Sequence, residues 1–168
     1  MKVLLTGGLG FVGSHICIEL LSNNYEVIIV DSLHNSDSSV FERLKSIISK
    51  ENKSLPSKVS FFECDLRDED KLSKIFQAHS QENSPISAVI HCAGFKSIEE
   101  SFLLPIQYWE NNVNGTIILL KVMEAYKCNT LIFSSSASIY GLTESELINE
   151  NAKIDPINPY GRTKAARS

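Results

Sequence analysis

No stretch of these 168 residues is apolar for long enough to cross a bilayer. The opening Met1-Lys2-Val3-Leu4-Leu5 starts as a signal peptide would. Thr6-Gly7-Gly8 then ends the apolar run far short of an h-region, so no leader is expected. A concentrated basic face is lacking too: 16 Lys and Arg are scattered among 20 Asp and Glu, for a net charge of −4, which argues against a nucleic-acid partner. Cysteine is sparse. Cys17, Cys64, Cys92 and Cys128 are far apart and form no C-x-x-C pair, and Cys17 stands between Ile16 and Ile18, so they read as buried, reduced thiols of a cytoplasmic protein. The sequons Asn52-Lys53-Ser54 and Asn114-Gly115-Thr116 are then chance matches. Internal repeats, low-complexity tracts and interdomain linkers are also missing.

What is present is an ordinary globular composition, 43% apolar and 21% charged, in a chain long enough for one domain with a sizeable core. Short β-branched runs at Val3–Thr6, Val27–Val30, Val59–Phe62, Ala88–His91 and Leu131–Ser134 predict strands. Val12–Ser22, Val40–Lys50, Glu69–His79 and Pro105–Lys127 read as helices between them. In the longest, Ile106, Trp109, Val113, Ile117, Leu120 and Met123 recur at steps of three and four, as the core face of one helix would. Strands this apolar, alternating with helices, predict an α/β fold: a Rossmann-like, doubly wound parallel sheet covered on both faces. A further helix starts near Pro159, and the chain stops at Ser168, about two turns later. The expectation is a single domain over 1–168, incomplete at its C-terminal end.

The first strand runs into Thr6-Gly7-Gly8-Leu9-Gly10-Phe11-Val12-Gly13, which satisfies G-x-G-x-x-G from Gly8 and opens the first helix. Gly7, Gly10 and Gly13 allow the tight turn and close backbone approach to a pyrophosphate, which then sits at the positive helix end. Asp31 ends the second strand, 18 residues beyond Gly13. A carboxylate there accepts hydrogen bonds from ribose hydroxyls and repels a 2′-phosphate, so the expected cofactor is NAD. Asp65, after the third strand, is placed to accept from the adenine amino group. After the fourth strand, Cys92-Ala93-Gly94 allows close backbone approach, and Lys96 can reach a ribose hydroxyl or phosphate. Near the other end, Tyr160 and Lys164 are four residues apart, on one face of a helix. An ammonium beside a phenol favours phenolate, lowering its pKa from about 10. Such a tyrosine can exchange a proton with a sugar or alcohol hydroxyl.

Together Gly7–Gly13, Asp31, His91–Lys96, Asn111-Asn112-Val113-Asn114-Gly115-Thr116, Phe133–Gly141 and Asn158-Pro159-Tyr160-Gly161-Arg162-Thr163-Lys164 resemble the UDP-glucose 4-epimerase family, extended members of the short-chain dehydrogenase/reductase superfamily. The resemblance runs through the whole chain. It implies interconversion of UDP-glucose and UDP-galactose in galactose metabolism, a tightly held NAD and a cytosolic homodimer paired through helices 69–79 and 105–127. By position, Tyr160 would be the acid/base, Lys164 would tune it and hold the nicotinamide ribose, and Ser136 would bond the reacting sugar oxygen, with Lys96 also at the substrate. Phe11, Val12, Asp31, Ser32, Asn35, Ser36, Asp65, Leu66, Cys92, Ala93, Gly94, Lys96 and Asn111 would line NAD. Tyr160 would remove the 4-hydroxyl proton while C4 is oxidised, and the 4-keto sugar would turn over and be reduced on its other face.

The chain departs from that family at Leu9, where a small residue is usual, at Cys92, where Phe is usual, and at Ser97–Ser101, which carries an extra acid at Glu99. It also lacks the half that holds most of the UDP-sugar in that family, so 168 residues alone are expected not to turn over substrate. Sugar-nucleotide dehydratases share the scaffold but need an acid just after the serine triplet. Here Ala137 and Ser138 hold that place, and neither can protonate a leaving hydroxyl. A non-catalytic NAD-binding module is the reading from another class; retention of Ser136, Tyr160 and Lys164 speaks against it.

Overall fold

A computed structural model describes residues 1–51, 55–81, 84–142 and 147–168; the Asn52 sequon lies outside the described residues. The described residues gather into two compact units, Met1–Ala93 with Ile118–Phe133, and Gly94–Ile117 with Ser134–Ser168.

The first unit is built on a five-stranded parallel sheet in the order β3-β2-β1-β4-β5. The strands are β1 (Lys2–Thr6), β2 (Glu26–Asp31), β3 (Val59–Glu63), β4 (Ile86–His91) and β5 (Leu131–Phe133). Each expected strand is found, and the fold is the Rossmann-like one the alternation predicts. Successive strand residues face opposite ways, and the core divides accordingly. Leu4, Ile28, Val30 and Val89 pack with Leu72 and Phe76 of α3 (Glu69–Gln81) and Leu119 and Val122 of α6 (Gly115–Ala125). Leu5, Val27 and Ile29 pack with Cys17 and Leu21 of α1 (Phe11–Ser22) and Leu44 and Ile48 of α2 (Ser39–Glu51). With both faces covered, strand interiors are continuously apolar, which is why they were legible as unbroken runs. The strands' buried polar residues are Thr6, Asp31 and His91 at their carboxyl ends and Lys2 at the start of β1, whose ammonium is 3.0 Å from Glu26 Oε1 and 3.1 Å from His79 Nδ1.

The second unit is made of short helical pieces. They are α4 (Ile98–Leu103), α5 (Pro105–Tyr108), a π-helical turn (Trp109–Asn114), the start of α6, a 3₁₀ turn (Ala137–Ile139) and α7 (Pro159–Ala165). The sequence did not point to α4 or to the 3₁₀ turn, and Ser134 falls just outside β5.

The single helix expected over Pro105–Lys127 is corrected in two ways. It is interrupted by the π turn and ends at Ala125. Its apolar stripe also faces outward: Ile106 is 72% exposed, Trp109 43%, Ile117 46% and Leu120 44%, and of that stripe Met123 alone is fully buried. The buried face instead runs Tyr108, Asn112, Thr116, Leu119 and Val122. The period was right and the phase wrong, because two of the inward positions are polar residues satisfied by hydrogen bonds.

Candidate functional site

In the first unit the chain order switches direction between β1 and β4, and the glycine turn leaves the carboxyl end of β1 at that point. Ligands of open α/β sheets bind at such switch points. Gly7 has φ +66, and a Cβ there would lie 2.7 Å from the Ala93 backbone nitrogen, so a side chain is excluded both by conformation and by space. The turn after β4 is thereby held against the turn after β1. Thr6 reinforces it: its Oγ1 is 2.6 Å from His91 Nδ1 and accepts from Ala93 N at 3.3 Å. Cys92 and Ala93 are half-buried beside this junction.

α1 opens on Gly10, and no side chain caps it. The Phe11 and Val12 amides thus stand without a side-chain cap at the positive end of a 12-residue helix, and both residues are exposed. That is the chemistry of an anion site. Asp31 is buried at the end of β2 and accepts from Leu9 N (3.0 Å), Leu33 N (3.0 Å) and Ser36 Oγ (2.9 Å). A carboxylate has about four acceptor positions, so these bonds fix its orientation and leave room for an outside donor. Ser32 and Asn35 are exposed on the loop that follows, and Ser36 is half-buried. Asp65 lies past β3 beside buried Leu66, and its carboxylate is gripped by Arg67. The Arg67 hydrogen bonds hold the Asp65 pKa below the usual carboxylate value.

In the second unit, Tyr160 and Lys164 are both buried in α7. The Lys164 ammonium donates to the Ser134 carbonyl at 2.6 Å, which ties α7 to the serine run. Ser136 caps the 3₁₀ turn, its Oγ accepting from Ser138 N at 3.2 Å. α7 packs on that turn closely enough that a Cβ on Gly161 would come 2.6 Å from the Ser138 carbonyl oxygen. Glycine after the tyrosine is therefore a packing requirement, and it brings α7 and the Ser136 turn together.

The sequence reading missed the residues that support these. Asn158 caps α7, its Oδ1 accepting from Gly161 N at 2.7 Å. Asn112 is buried and uses both ends of its amide. Its Oδ1 accepts from Phe95 N (2.8 Å) and Asn111 Nδ2 (3.0 Å), while its Nδ2 donates to Phe95 O (3.1 Å) and to Thr163 Oγ1 (3.0 Å). One side chain thus links the segment carrying Gly94 and Lys96, the neighbouring Asn111, and the residue before Lys164. Arg167 donates from Nε to Thr163 O (3.0 Å) and from Nη1 to Thr116 Oγ1 (3.2 Å). Burial pulls its pKa down to about 10, opposed by Tyr160. Lys96 is exposed and Asn111 half-buried. A capping signal, N-P before the helix, could have flagged Asn158; nothing in spacing alone singles out Asn112 from Asn111.

Comparison with known proteins identifies the group. The GDP-mannose 4,6 dehydratase family profile matches residues 4–168. The chain belongs to the GDP-mannose 4,6 dehydratase family. Within it the chain is 42% identical over 164 residues to the UDP-glucose 4-epimerase of Bacillus subtilis, covering 98% of this chain and 45% of that protein. It superposes on the Stenotrophomonas maltophila UDP-glucose 4-epimerase, solved with NAD and formylated UDP-arabinopyranose, with a TM-score of 0.87 and 40% identity, covering 99% of this chain and 46% of that one. The Bifidobacterium longum UDP-glucose 4-epimerase, in complex with NAD⁺ and UDP, gives a TM-score of 0.88 and 38% identity, with coverages of 99% and 47%. The chain therefore spans about half the length of these relatives.

Proposed function

We propose that this chain is the NAD-holding and proton-transfer part of a UDP-glucose 4-epimerase, an isomerase that interconverts UDP-glucose and UDP-galactose through a 4-keto intermediate. The uncapped glycine turn with Asp31 at the neighbouring strand end carries the cofactor part of the reading. It fits a dinucleotide: the helix amides would take the pyrophosphate, Asp31 with Ser32, Asn35 and Ser36 the adenosine ribose, and Asp65 and Leu66 the adenine side. Phe11, Val12, Cys92, Ala93 and Gly94 would line it, with Lys96, Asn111, Tyr160 and Lys164 toward the nicotinamide ribose. NAD, when bound, would take the hydrogen of sugar C4 with its electron pair and give it back on the other face.

Tyr160 would accept the 4-hydroxyl proton and later return it, and Ser136 would bond the same oxygen. Lys96 would hold the sugar nucleotide through its charge. Although the family profile is that of a dehydratase, Ala137 and Ser138 offer no acid where elimination needs one, and this favours epimerisation. We place the protein in the cytoplasm on its free cysteines, three of the four buried. We further read the exposed Ile106, Trp109, Ile117 and Leu120 as the homodimer face. We read α3 as the second pairing helix; Glu69, Asp70, Lys71 and Lys74 are exposed on it.

The test begins with absorbance and fluorescence of purified protein for copurifying NAD, followed by addition of UDP-galactose. Reduction of bound nicotinamide by the sugar, lost by about a hundredfold or more in Tyr160→Phe, is the expected result. Cofactor without reduction would leave a binding module, and absence of cofactor would overturn the reading. Trp109→Glu should shift sedimentation from dimer to monomer at micromolar concentration; a wild-type monomer removes the dimer.

A further inference from the structure

We propose that Arg67 is a positioning residue that makes the nucleotide site select a 6-aminopurine over a 6-oxopurine, by holding the Asp65 carboxylate as a fixed hydrogen-bond acceptor. This rests on the dinucleotide reading and sharpens it.

Asp65 stands where the purine end of a dinucleotide would lie. It follows Cys64, whose amide donates to the Asp31 carbonyl at 2.9 Å, so it sits at the edge next to the ribose-binding carboxylate. Arg67 grips it from one side: Nε is 3.0 Å from Oδ1 and 3.2 Å from Oδ2, Nη2 is 2.6 Å from Oδ2, and the Arg67 amide donates to Oδ1 at 2.9 Å. The planar guanidinium thereby fixes the plane of the carboxylate, which a lysine's point charge would not do.

Stability alone does not call for this arrangement. The Asp65 and Arg67 side chains are 37% and 42% exposed, and exposed ion pairs contribute little to folding. What the grip secures is direction and charge. Arg67 takes much of the acceptor capacity of the carboxylate, and at 37% exposure what remains on Oδ2 is open to an outside donor. An ionised carboxylate only accepts. It therefore bonds the 6-amino group of adenine, whereas hypoxanthine offers it N1–H alone, beside a 6-oxo group that it repels. The lowered pKa of Asp65, due first to the Arg67 side chain, keeps it in the accepting form.

The test uses the full chain, stripped of cofactor, and titrations of NAD and of nicotinamide hypoxanthine dinucleotide. Wild type should prefer NAD by about tenfold. Arg67→Met should weaken NAD and bring the ratio to about twofold, with Arg67→Lys between them because it keeps the charge and loses the fork. Asp65→Asn, whose amide can also donate, should bring the ratio to one or invert it. A wild-type chain that binds both dinucleotides equally overturns the proposal and leaves the dinucleotide reading standing. Equal weakening of both by Arg67→Met also overturns it, since Arg67 would then only shape the loop. Failure of wild type to bind either dinucleotide overturns proposal and reading together. Should Arg67→Met not fold, the wild-type ratio and the Asp65→Asn ratio decide the matter on their own.

Discussion

The two units hold their functional residues by different physics. In the first, position follows from sheet register: β1 and β4 end side by side, so the turns that follow them meet, and buried aliphatic residues on both faces keep the strands there. In the second, position follows from satisfied polar side chains. Asn112, Asn158, Thr163 and Lys164 are all buried, and each makes a named hydrogen bond that fixes a neighbouring segment. Hydrophobic burial is non-directional and tolerates exchange of one aliphatic residue for another. A buried amide tolerates almost nothing, because each abandoned partner costs its full desolvation. The helix starts show the same contrast: α1 opens uncapped on Gly10, α7 opens capped by Asn158.

The hardest blow to this contrast would come from Asn112→Leu, an apolar residue of similar size. If the second unit were held by burial, leucine would serve. We expect it to cost about 4 kcal/mol in urea unfolding, since the amide and carbonyl of Phe95 lose Asn112 and the Thr163 hydroxyl oxygen loses the donor it accepts from. A loss under about 1 kcal/mol would break the comparison. In the first unit Leu119→Ala should cost about 3 kcal/mol through the cavity it leaves, while Leu119→Met, which keeps the volume, should cost less than about 1.5 kcal/mol. Equal losses for the two Leu119 variants would mean that shape, not burial, rules there as well.

The same division explains what could be read in advance. All five strands, the glycine turn and Asp31 were visible, because an apolar parallel strand and a G-x-G-x-x-G turn carry their physics locally. The Pro105–Ala125 region was misread in phase because Asn112 and Thr116 point inward while Trp109 and Ile117 point outward. An apolar periodicity cannot register a buried residue that is polar. The roles of Asn112 and Arg67 depend on partners at Thr163 and on the orientation of one carboxylate, and no spacing rule encodes either. The close fit at Gly161 was likewise invisible, since its reason is a carbonyl at Ser138.

Buried thiols sharpen the account of the first unit through pH. Burial pushes the Cys17 thiol up from 9.0 to about 12, and Cys64 up to about 11. A folded-state pKa above the unfolded one means that unfolded chain loses the proton first. The stabilisation is then whole below pH ~9 and is lost as pH rises toward the folded value. Unfolding free energy should fall by about 2 kcal/mol for Cys17 alone between pH ~8 and pH ~10.5. Cys17→Ala, though less stable at neutral pH, should show a shallower decline. An unchanged slope in that variant would mean that Cys17 is accessible to ionisation in the native state.

The smallest effect discriminates between the two helix starts. Asn158→Ala removes the acceptor of the Gly161 amide and should cost about 1 kcal/mol, with Asn158→Asp recovering most of it. α1 has no such side chain to remove, since Gly10 opens it without a side-chain cap. On the proposed cofactor reading, added NAD should stabilise wild type and Asn158→Ala by the same increment in a thermal melt, because the Asn158 side chain bonds only the helix it caps. If the increment vanished with Asn158, the cap itself would be needed to place Tyr160 and Lys164 for the cofactor, and the division between a structural cap and a binding turn would fail.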